Sequence, residues 1–283
     1  MPNVVVIGDP MVDRYIYGDV SRVNPEAPSL LLDVNDTVEQ AGGAANVAKI
    51  ISRLHCSTSF IGPVNSHLRY LAPTVMFIDG EIDKMLLKTR YMNGDVTLLR
   101  VDTGKSFSPQ DSNLVLQSVK SMNAQKCNIL DIADVVIVSD YAKGIVTREL
   151  IDEIATRLPE TAKIVIDTKK ANFQDYDGFL SRDFDVYITV NFAEWTALDN
   201  KQDIPVAIVS MGADGLAVFE LGNETERLKT TAGPVRSVVG AGDVVTAVFA
   251  YALTFQDDFK WAARIAEAAA TKAVALPRTS NDV

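Results

Sequence analysis

Residues 4–9 read Val4-Val5-Val6-Ile7-Gly8-Asp9, a run of β-branched side chains that ends at a glycine and an acid. A short run of this kind is typical of a strand buried on both faces of a parallel sheet. Five more such runs follow, and stretches with apolar residues three and four positions apart separate most of them. The sequence therefore predicts an α/β fold, a three-layer α/β/α sandwich with a mostly parallel central sheet. The further strands are predicted at 57–61, 135–138, 163–166, 186–190 and 206–209, and the helices at 43–54, 109–125, 146–158, 241–254 and 259–275.

Two stretches depart from this rhythm and have the pattern of antiparallel hairpins. In residues 86–101, Asn93-Gly94 lies between two strand-like runs and predicts the two positive-φ positions of a type I′ turn. The other stretch pairs residues 14–20 with 30–38 across a proline-rich connection. Together they predict a small β-sheet lid, formed by segments 14–38 and 85–102, that covers a cleft. A plain edge hairpin without a function is the alternative.

The charge balance limits the partners. The chain has 283 residues with 27 Lys and Arg against 37 Asp and Glu, a net charge of −10. Because such a surface does not attract polyanions, we expect no nucleic acid and no membrane as a partner. No stretch of about 18 apolar residues occurs, so no transmembrane helix is expected. We expect a single domain over residues 1–283.

Histidine and cysteine usage narrows the chemistry further. The two histidines, His55 and His67, cannot build a three-histidine zinc site and leave few candidates for a histidine-based acyl-transfer triad. Cys56 and Cys127 form no Cys-x-x-Cys pair, which favours a reduced, cytoplasmic protein over a disulfide-linked secreted one. The apolar N-terminal run has no cationic leader, so we interpret it as a strand and not as an export signal.

The segment Gly240-Ala241-Gly242-Asp243 stands directly before a helical pattern. Glycines let backbone N–H groups approach a phosphate, and the start of a helix favours an anion at the same place. A carboxylate in that first turn can take the proton of a hydroxyl that attacks the terminal phosphate of ATP. The alternative is an ordinary N-capping aspartate after a flexible turn.

Two further segments are candidates for binding the acceptor. Gly42-Gly43 opens a predicted helix, and Asn46 follows it with an amide that can both donate to and accept from a hydroxyl. Asp13, after the first strand, can accept hydrogen bonds from two hydroxyls. Close helix packing for the glycines and a surface turn for Asp13 are the alternatives.

A fourth segment, Asn191-Phe192-Ala193-Glu194, follows the strand predicted at 186–190. Glu194 could hold waters around Mg²⁺, an ion that keeps much of its hydration shell and takes few protein ligands. A helix-capping arrangement of Asn191 and Glu194 explains the same residues equally well.

The order and setting of these segments resemble the ribokinase/phosphofructokinase-B sugar kinase family over nearly the whole chain. The resemblance implies a ribokinase-like fold and the use of ATP and Mg²⁺. It implies that Asp243 is the catalytic base and that Gly240, Ala241 and Gly242 contact phosphate. It assigns residues 209–215 to the nucleotide side, where the binding residues would be Asn191, Glu194, Ser210, Gly212 and Gly215.

Within that family the chain is most similar to the heptose 7-phosphate kinases. The segments that carry this similarity are residues 8–18 with Arg22 and Pro25-Glu26-Ala27-Pro28, residues 138–144, and residues 88–90 with 98–102. The resemblance implies transfer of the ATP γ-phosphate to the anomeric hydroxyl of a heptose 7-phosphate. Since a sugar phosphate needs cations close by, we expect a clamp on or beside the lid, made of Arg14, Lys88, Arg90 and Arg100.

Several positions depart from the pattern of these kinases. Val96-Thr97 replaces a glutamine pair, and Glu267 replaces an asparagine near the expected adenine site, which puts nucleotide affinity in question. The chain stops at Val283, so we expect a kinase without an adenylyltransferase domain. Another sugar or nucleoside kinase of the family, or a degenerate binding protein of kinase fold, stays open as an alternative. The free edges of the lid favour a homodimer formed through it.

Overall fold

The computed structural model of the protein describes residues 1–78, 80–122, 129–230 and 238–275. Its strands are β1 (Asn3–Gly8), β2 (Pro10–Val23), β3 (Leu30–Gly43), β4 (Ser57–Ile61), β5 (Met76–Ile78), β6 (Leu87–Asn93), β7 (Val96–Thr103), β8 (Val135–Asp140), β9 (Lys163–Thr168), β10 (Asp185–Asn191), β11 (Val206–Ser210), β12 (Leu216–Glu220) and β13 (Asn223–Leu228). Its α-helices are α1 (Ala44–Arg53), α2 (Ser66–Leu71), α3 (Pro109–Met122), α4 (Arg148–Ala155), α5 (Asp177–Leu180), α6 (Phe192–Ala197), α7 (Ala241–Leu253) and α8 (Phe259–Ala275).

Nine strands of the described chain form a central sheet in the order β13-β12-β11-β10-β9-β8-β1-β4-β5. All pairs from β11 to β5 are parallel, while β12 and β13 add an antiparallel edge. Alternate side chains of β1 enter different cores, with Val4 and Val6 in one and Val5 and Ile7 in the other. Helices α1, α7 and α8 cover the first core, and α3 and α4 cover the second. The predicted three-layer sandwich with a mostly parallel sheet is confirmed.

All six predicted core strands are present, and the helix predicted at 259–275 coincides with α8. The helix predicted at 146–158 is shorter, because Thr147 caps α4 by accepting the Leu150 N–H at 3.3 Å. The antiparallel pair β12 and β13 and the short helices α2, α5 and α6 are not predicted. Residues 123–125 of the helix predicted at 109–125, like Cys127, lie outside the described residues.

The lid is a separate four-stranded sheet in the order β3-β2-β6-β7. The β2–β3 and β6–β7 pairs are antiparallel, as predicted, but β2 pairs with β6 in parallel and joins the two hairpins into one mixed sheet. Its strands are longer than the predicted segments, since β2 begins at Pro10 and β3 continues to Gly43.

The turn predicted in the second hairpin is wrong by one residue. The partners Asn93 and Val96 enclose Gly94 and Asp95, and of these two only Gly94 has a positive φ, of 56°. A glycine at the first central position is the pattern of a type II′ turn and not of type I′. Across the described residues, no helix has the length and apolar character needed to cross a membrane.

Candidate active site

Asp243 lies in the first turn of α7, directly after Gly240-Ala241-Gly242, the segment predicted to contact phosphate. Gly240 precedes the helix with a φ of 81°, a left-handed conformation that favours glycine. The Asp243 carboxylate is buried, and both of its oxygens accept hydrogen bonds. The Asn46 amide donates to Oδ2 at 2.6 Å, and the Tyr141 hydroxyl donates to Oδ1 at 2.7 Å. The structure therefore brings together two predicted residues that are 197 positions apart.

The protonation of Asp243 follows from this setting. Burial raises the pKa of the Asp243 carboxyl above its ordinary value, while the hydrogen bonds from Asn46 and Tyr141 act in the opposite direction. A carboxylate whose pKa is raised, yet which stays hydrogen-bonded as the anion, is suited to accept a proton from a hydroxyl.

Tyr141 reaches Asp243 from a loop that follows β8. Two buried acids, Asp9 and Asp140, accept backbone hydrogen bonds from this loop. The Asp9 carboxylate accepts the backbone N–H groups of Lys143 and Ile145 at 2.9 and 3.0 Å. Sequence reasoning gave Tyr141 no role, although it lies within residues 138–144, a segment used for the resemblance. A tyrosine after a strand carries no signal by itself, and its partner is 102 positions away.

The residues predicted to bind the acceptor lie on the face of the lid that looks toward Asp243. Asp13 lies there, and the Arg90 guanidinium donates to its Oδ1 at 2.5 Å. A Cβ added to Gly42 would be only 2.1 Å from Asp13 Oδ2, so the glycine makes room for this carboxylate. The predicted residues Gly42, Asp13 and Arg90 are therefore in one place.

Two more predicted cations share that face. Lys88 of β6 lies directly opposite Asp13 of β2 in the sheet, and its ammonium lies 5.1 Å from the centre of the Tyr141 ring. Arg100 pairs with Arg90 across β6 and β7, and it holds Asp102 through Nε at 2.7 Å and Nη2 at 2.5 Å. Burial lowers the pKa of the Lys88 ammonium, against the opposing effect of the Asp13 charge.

Arg14, the fourth predicted clamp residue, is not brought into this group. It follows Asp13 directly in β2, and neighbouring side chains of a strand point to opposite faces of the sheet. Its Nε bonds to Glu39 Oε1 at 2.5 Å, and the other oxygen of Glu39 lies 2.7 Å from His67 of α2. Of the four cations predicted for the clamp, Lys88, Arg90 and Arg100 therefore lie together on this face, and their role in binding a phosphate stays a prediction.

On the other side of Asp243, a cavity of about 600 Å³ opens between α7, α8 and the ends of β10 and β11. Residues predicted for the nucleotide and its phosphates share its wall with Asp243, and these are Gly240, Ala241, Gly242, Asn191, Glu194, Ser210, Gly212 and Gly215. Gly43, the last residue of the lid strand β3, does not line this wall, and a Cβ there would be 2.5 Å from the Asp9 carbonyl oxygen. This close approach needs a glycine, and a contact of Gly43 with the acceptor stays a prediction.

Asn191 and Glu194 form the capping box that was the alternative for this segment. The Asn191 side chain accepts the Glu194 N–H at 2.9 Å, and Glu194 Oε2 accepts the Asn191 N–H at 2.8 Å. The other Glu194 oxygen lies 2.6 Å from the Lys169 ammonium, which also lies 3.4 Å from Asp167. Burial raises the pKa of Asp167 to about 6, although the Lys169 charge opposes this.

Mg²⁺ is the metal that the fold family implies. Among the described residues no group of three or more His, Cys, Asp or Glu side chains is placed to hold a metal. However, Mg²⁺ usually takes only one or two carboxylates together with waters and substrate phosphates. Glu194 lines the cavity and already faces a cation, the ammonium of Lys169, so its oxygen fits a hydrated Mg²⁺.

The far end of the cavity contains the substituted position Glu267. This side chain accepts a hydrogen bond from the Thr271 hydroxyl at 2.7 Å, and Thr271 in turn lies 2.8 Å from the hydroxyl of Thr230. One face of α8 lines the cavity there, with Ala270 and Val274 beside Glu267. The departure from the family pattern thus lies inside the cavity and not on the outer surface.

Known proteins are similar to this chain in sequence. A family model described as pfkB family carbohydrate kinase matches residues 73–283. The curated protein "Bifunctional protein HldE" of Rhodopseudomonas palustris (strain HaA2) is 30% identical over 98% of this chain, and that of Desulfatibacillum aliphaticivorans is 29% identical over 99%. The chain spans 61% of the length of each of these relatives.

Solved structures share the fold at low sequence identity. Arabidopsis thaliana ribokinase, complexed with ribose and ATP, superposes with a TM-score of 0.66 and 18% identity, covering 97% of this chain and 93% of the ribokinase chain. The tetrameric inhibited form of Escherichia coli phosphofructokinase-2 gives a TM-score of 0.71 and 17% identity, covering 98% and 95%. The match of the family model over residues 73–283 shows that the chain belongs to the pfkB family of carbohydrate kinases, phosphotransferases that act on sugars.

Proposed function

We propose that the protein transfers the γ-phosphoryl group of ATP to the anomeric hydroxyl of D-glycero-D-manno-heptose 7-phosphate, giving the 1,7-bisphosphate. The observation that carries this proposal is the set of three cations, Lys88, Arg90 and Arg100, on the lid face that looks toward Asp243. The resemblance of the lid segments to heptose 7-phosphate kinases supports it, and so does the similarity of nearly this whole chain to 61% of the length of HldE proteins.

The charge of the acceptor explains why a cluster of cations is needed. A sugar phosphate brings about two negative charges to a protein whose net charge is −10. Two of the three cations are arginines, which hold phosphate oxygens in a bidentate way. Arg90 is already fixed by Asp13, whereas Arg100 is half exposed and pairs with Asp102, which is itself close to half exposed, so Arg100 can turn toward a phosphate.

The reaction then divides between the two sides of Asp243. On the lid side, Asp13 accepts hydrogen bonds from sugar hydroxyls while the cations hold the distant phosphate. Asp243 accepts the proton of the attacking hydroxyl, and the N-terminal turn of α7 stabilises the charge of the transferred group. Lys169 adds a positive charge at the wall of the nucleotide cavity. Mg²⁺, when bound near Glu194, would neutralise charge on the nucleotide phosphates.

A neutral sugar is the second candidate acceptor. Each arginine of the clamp is already paired with an acid, Arg90 with Asp13 and Arg100 with Asp102, so part of the positive charge is compensated. Val96-Thr97 also lacks the polar pair that is usual in the heptose kinases. Both observations favour an acceptor without a phosphate.

An acceptor panel separates the two candidates. ADP release would be measured with D-glycero-D-manno-heptose 7-phosphate, the same heptose without phosphate, fructose 6-phosphate, fructose and ribose. We expect kcat/KM for the phosphorylated heptose to exceed that for the unphosphorylated heptose by at least 100-fold, because paired charged contacts are lost without the phosphate. Equal or better use of a neutral sugar would contradict the proposal.

We further propose that two chains associate through the lid. Its outer face exposes Leu99 and Val101, 56% and 41% accessible, on adjacent outward positions of β7. Covering such a face also protects the free edges of the sheet. Light scattering of the purified protein is expected to give the mass of two chains, and replacement of Leu99 and Val101 by serine is expected to give that of one. A single-chain mass for the unaltered protein would contradict the proposal.

A further inference from the structure

Within the part of the chain that the structure describes, the side chains of Tyr141 and Asn46 both donate hydrogen bonds to the Asp243 carboxylate. Its hydroxyl lies 2.7 Å from Oδ1, while the Asn46 amide lies 2.6 Å from Oδ2. The carboxylate thus has one donor on each oxygen, and its plane is fixed from two different elements, α1 and the loop after β8.

The backbone that carries Tyr141 is held in an uncommon conformation. The next residue, Ala142, has a φ of 54°, a left-handed value that is strained for a residue other than glycine. The Asp140 carboxylate accepts the Ala142 N–H at 2.8 Å and the Tyr176 hydroxyl at 2.6 Å. Asp140, Tyr176 and Asp9 are all buried, so the loop is fixed by a network that water does not reach. Strain that the surroundings maintain in this way is typical of functional sites.

The Tyr141 ring lies between two ammonium groups. Lys88 Nζ of the lid is 5.1 Å from the ring centre, and Lys169 Nζ at the nucleotide cavity is 5.5 Å from it. Both distances are within the range of a cation–π interaction. The aromatic ring therefore contacts the acceptor side and the nucleotide side at once, while its hydroxyl contacts the acid between them.

We propose that Tyr141 is a positioning residue for the base, which orients the Asp243 carboxylate and favours its anionic form through the hydroxyl while the ring is fixed between Lys88 and Lys169. This inference rests on the proposed role of Asp243 as the base. It explains why a buried aspartate can be ready as an anion when an acceptor hydroxyl arrives. Tyr141 itself forms no bond with the reacting atoms and transfers no proton.

The expected pH effect depends on every charged group that faces Asp243. Tyr141 and Asn46 donate to it, Lys169 from the end of β9 favours its anion, and Asp13 on the lid disfavours it. Asp167, also at the end of β9, is a further acid that interacts with Asp243. Loss of the Tyr141 hydroxyl removes one of the interactions that lower the pKa of Asp243, so the pKa of the base is expected to rise. The acidic limb of the pH profile of kcat should then move to higher pH.

The test compares the steady-state kinetics of Tyr141→Phe with those of the unaltered protein, and the preferred acceptor from the panel is the sugar substrate. Phenylalanine keeps the ring between the two lysines, so we expect KM for both substrates to change less than threefold. We expect kcat at neutral pH to fall about 10-fold to 100-fold, as for a lost hydrogen bond to a charged group. The acidic limb is expected to move up by half a pH unit or more. Tyr187→Phe, in the core against Phe249 and Phe259, is the matched control and should leave both kcat and the limb unchanged.

A second replacement is expected to shift the acidic limb of the pH profile of kcat in the opposite direction. It also separates the loss of the hydrogen bond from a folding defect. Incorporating 3-fluorotyrosine at position 141 keeps the shape and makes the hydroxyl a stronger donor, so the acidic limb should move to lower pH. The inference is overturned if the acidic limb of the pH profile stays at the same pH in a folded Tyr141→Phe protein. It is also overturned if the limb lies at the same pH for tyrosine and for fluorotyrosine. Failure of the proposed function looks different, because Asp243→Asn would then retain turnover. If Asp243→Asn is inactive and Tyr141→Phe keeps the original profile, only the role of Tyr141 is rejected.

Discussion

Gly42 shows how one missing side chain shapes the acceptor site. Asp13 occupies the space in which a Cβ of residue 42 would lie, 2.1 Å from Asp13 Oδ2. The atom in the way is the end of a flexible side chain, so a larger residue would displace Asp13 without unfolding the sheet. Displacement would also separate Asp13 from Arg90, whose guanidinium it holds at 2.5 Å.

Gly42→Ala is therefore expected to raise KM for the sugar at least tenfold and to leave KM for ATP within about threefold, because a charged contact on the acceptor side is lost. The thermal midpoint should fall by only a few degrees. Steady-state kinetics with each substrate varied in turn, together with a thermal melt, measures both. Gly222→Ala, at a positive φ of 80° in the remote edge hairpin, is the control and should reduce stability without changing either KM. A Gly42→Ala protein with unchanged kinetics would show that Asp13 does not contact the acceptor.

The residue scale is also where sequence reasoning reached furthest and where it stopped. Glycine segments and the end of the first strand predicted Asp243, Asn46 and Asp13, and the charge of a sugar phosphate predicted Arg90. The structure joins Asn46 to Asp243 and Arg90 to Asp13 by hydrogen bonds. Tyr141 and Lys169 were not assigned, because their roles depend on contacts across the fold and not on a local pattern. The capping of Asn191 and Glu194 could be anticipated as an alternative, since the residues i and i+3 of a capping box are local.

At the scale of elements, the alternation of side chains in β2 decides which residues lie on the face of the lid toward Asp243. Asp13 and Arg14 are neighbours in sequence but lie on opposite faces of the lid. The sequence identifies the strand, yet which face looks toward the cleft is known only once the lid is placed over the sheet. For that reason four cations were predicted for the clamp, while three of them share the face of the lid with Asp13.

Arg14 of β2 and Arg90 of β6 lie in adjacent strands but on opposite faces of the lid, so their alanine variants can be compared directly. Arg90→Ala is expected to raise KM for the sugar phosphate at least tenfold with little change for ATP, since a guanidinium contact to phosphate is lost. Arg90→Lys should restore only part of the affinity, because lysine lacks the planar fork. Arg14→Ala removes a pair with Glu39 on the outer face, so both KM values should stay within about twofold. The same loss for both alanine variants would contradict the assignment of the faces.

Two other element-scale differences have simple physical causes. The turn of the second hairpin uses Gly94 and Asp95, because either placement of the glycine fits a two-residue loop and the register alone selects one. Strand β13 was missed since half of its residues are charged and it carries no buried apolar alternation; its sequence is Asn223-Glu224-Thr225-Glu226-Arg227-Leu228. The parallel core strands were predictable because they are continuous apolar runs.

At the scale of the whole molecule, buried acids couple stability to pH. Burial raises the pKa of Asp167 to about 6, from an ordinary value of 3.8. Between these two values the folded protein binds more protons at this site than the unfolded chain, so the contribution of Asp167 lowers the free energy of unfolding as pH rises. Above pH 6 the buried carboxylate is charged and destabilises the fold.

Asp167→Asn removes this charge while keeping the shape of the side chain. We expect the variant to gain stability relative to the unaltered protein at pH 7, and the gain to be smaller at pH 5 by about 1 kcal/mol. Urea unfolding of both proteins at the two pH values measures the difference. A gain that is equal at pH 5 and pH 7, or larger at pH 5, would show that Asp167 is not protonated in the way its burial indicates.

The central claim is that Asp243, at the start of α7, is the base for phosphoryl transfer to a sugar. The most direct measurement combines ADP release with calorimetric binding of an ATP analogue for Asp243→Asn, using Asp185→Asn at the opposite end of the sheet as control. Turnover of Asp243→Asn is predicted to fall by about 100-fold to 10,000-fold, as for loss of a general base, while the analogue binds with nearly unchanged affinity. Turnover close to that of the control protein would contradict the account.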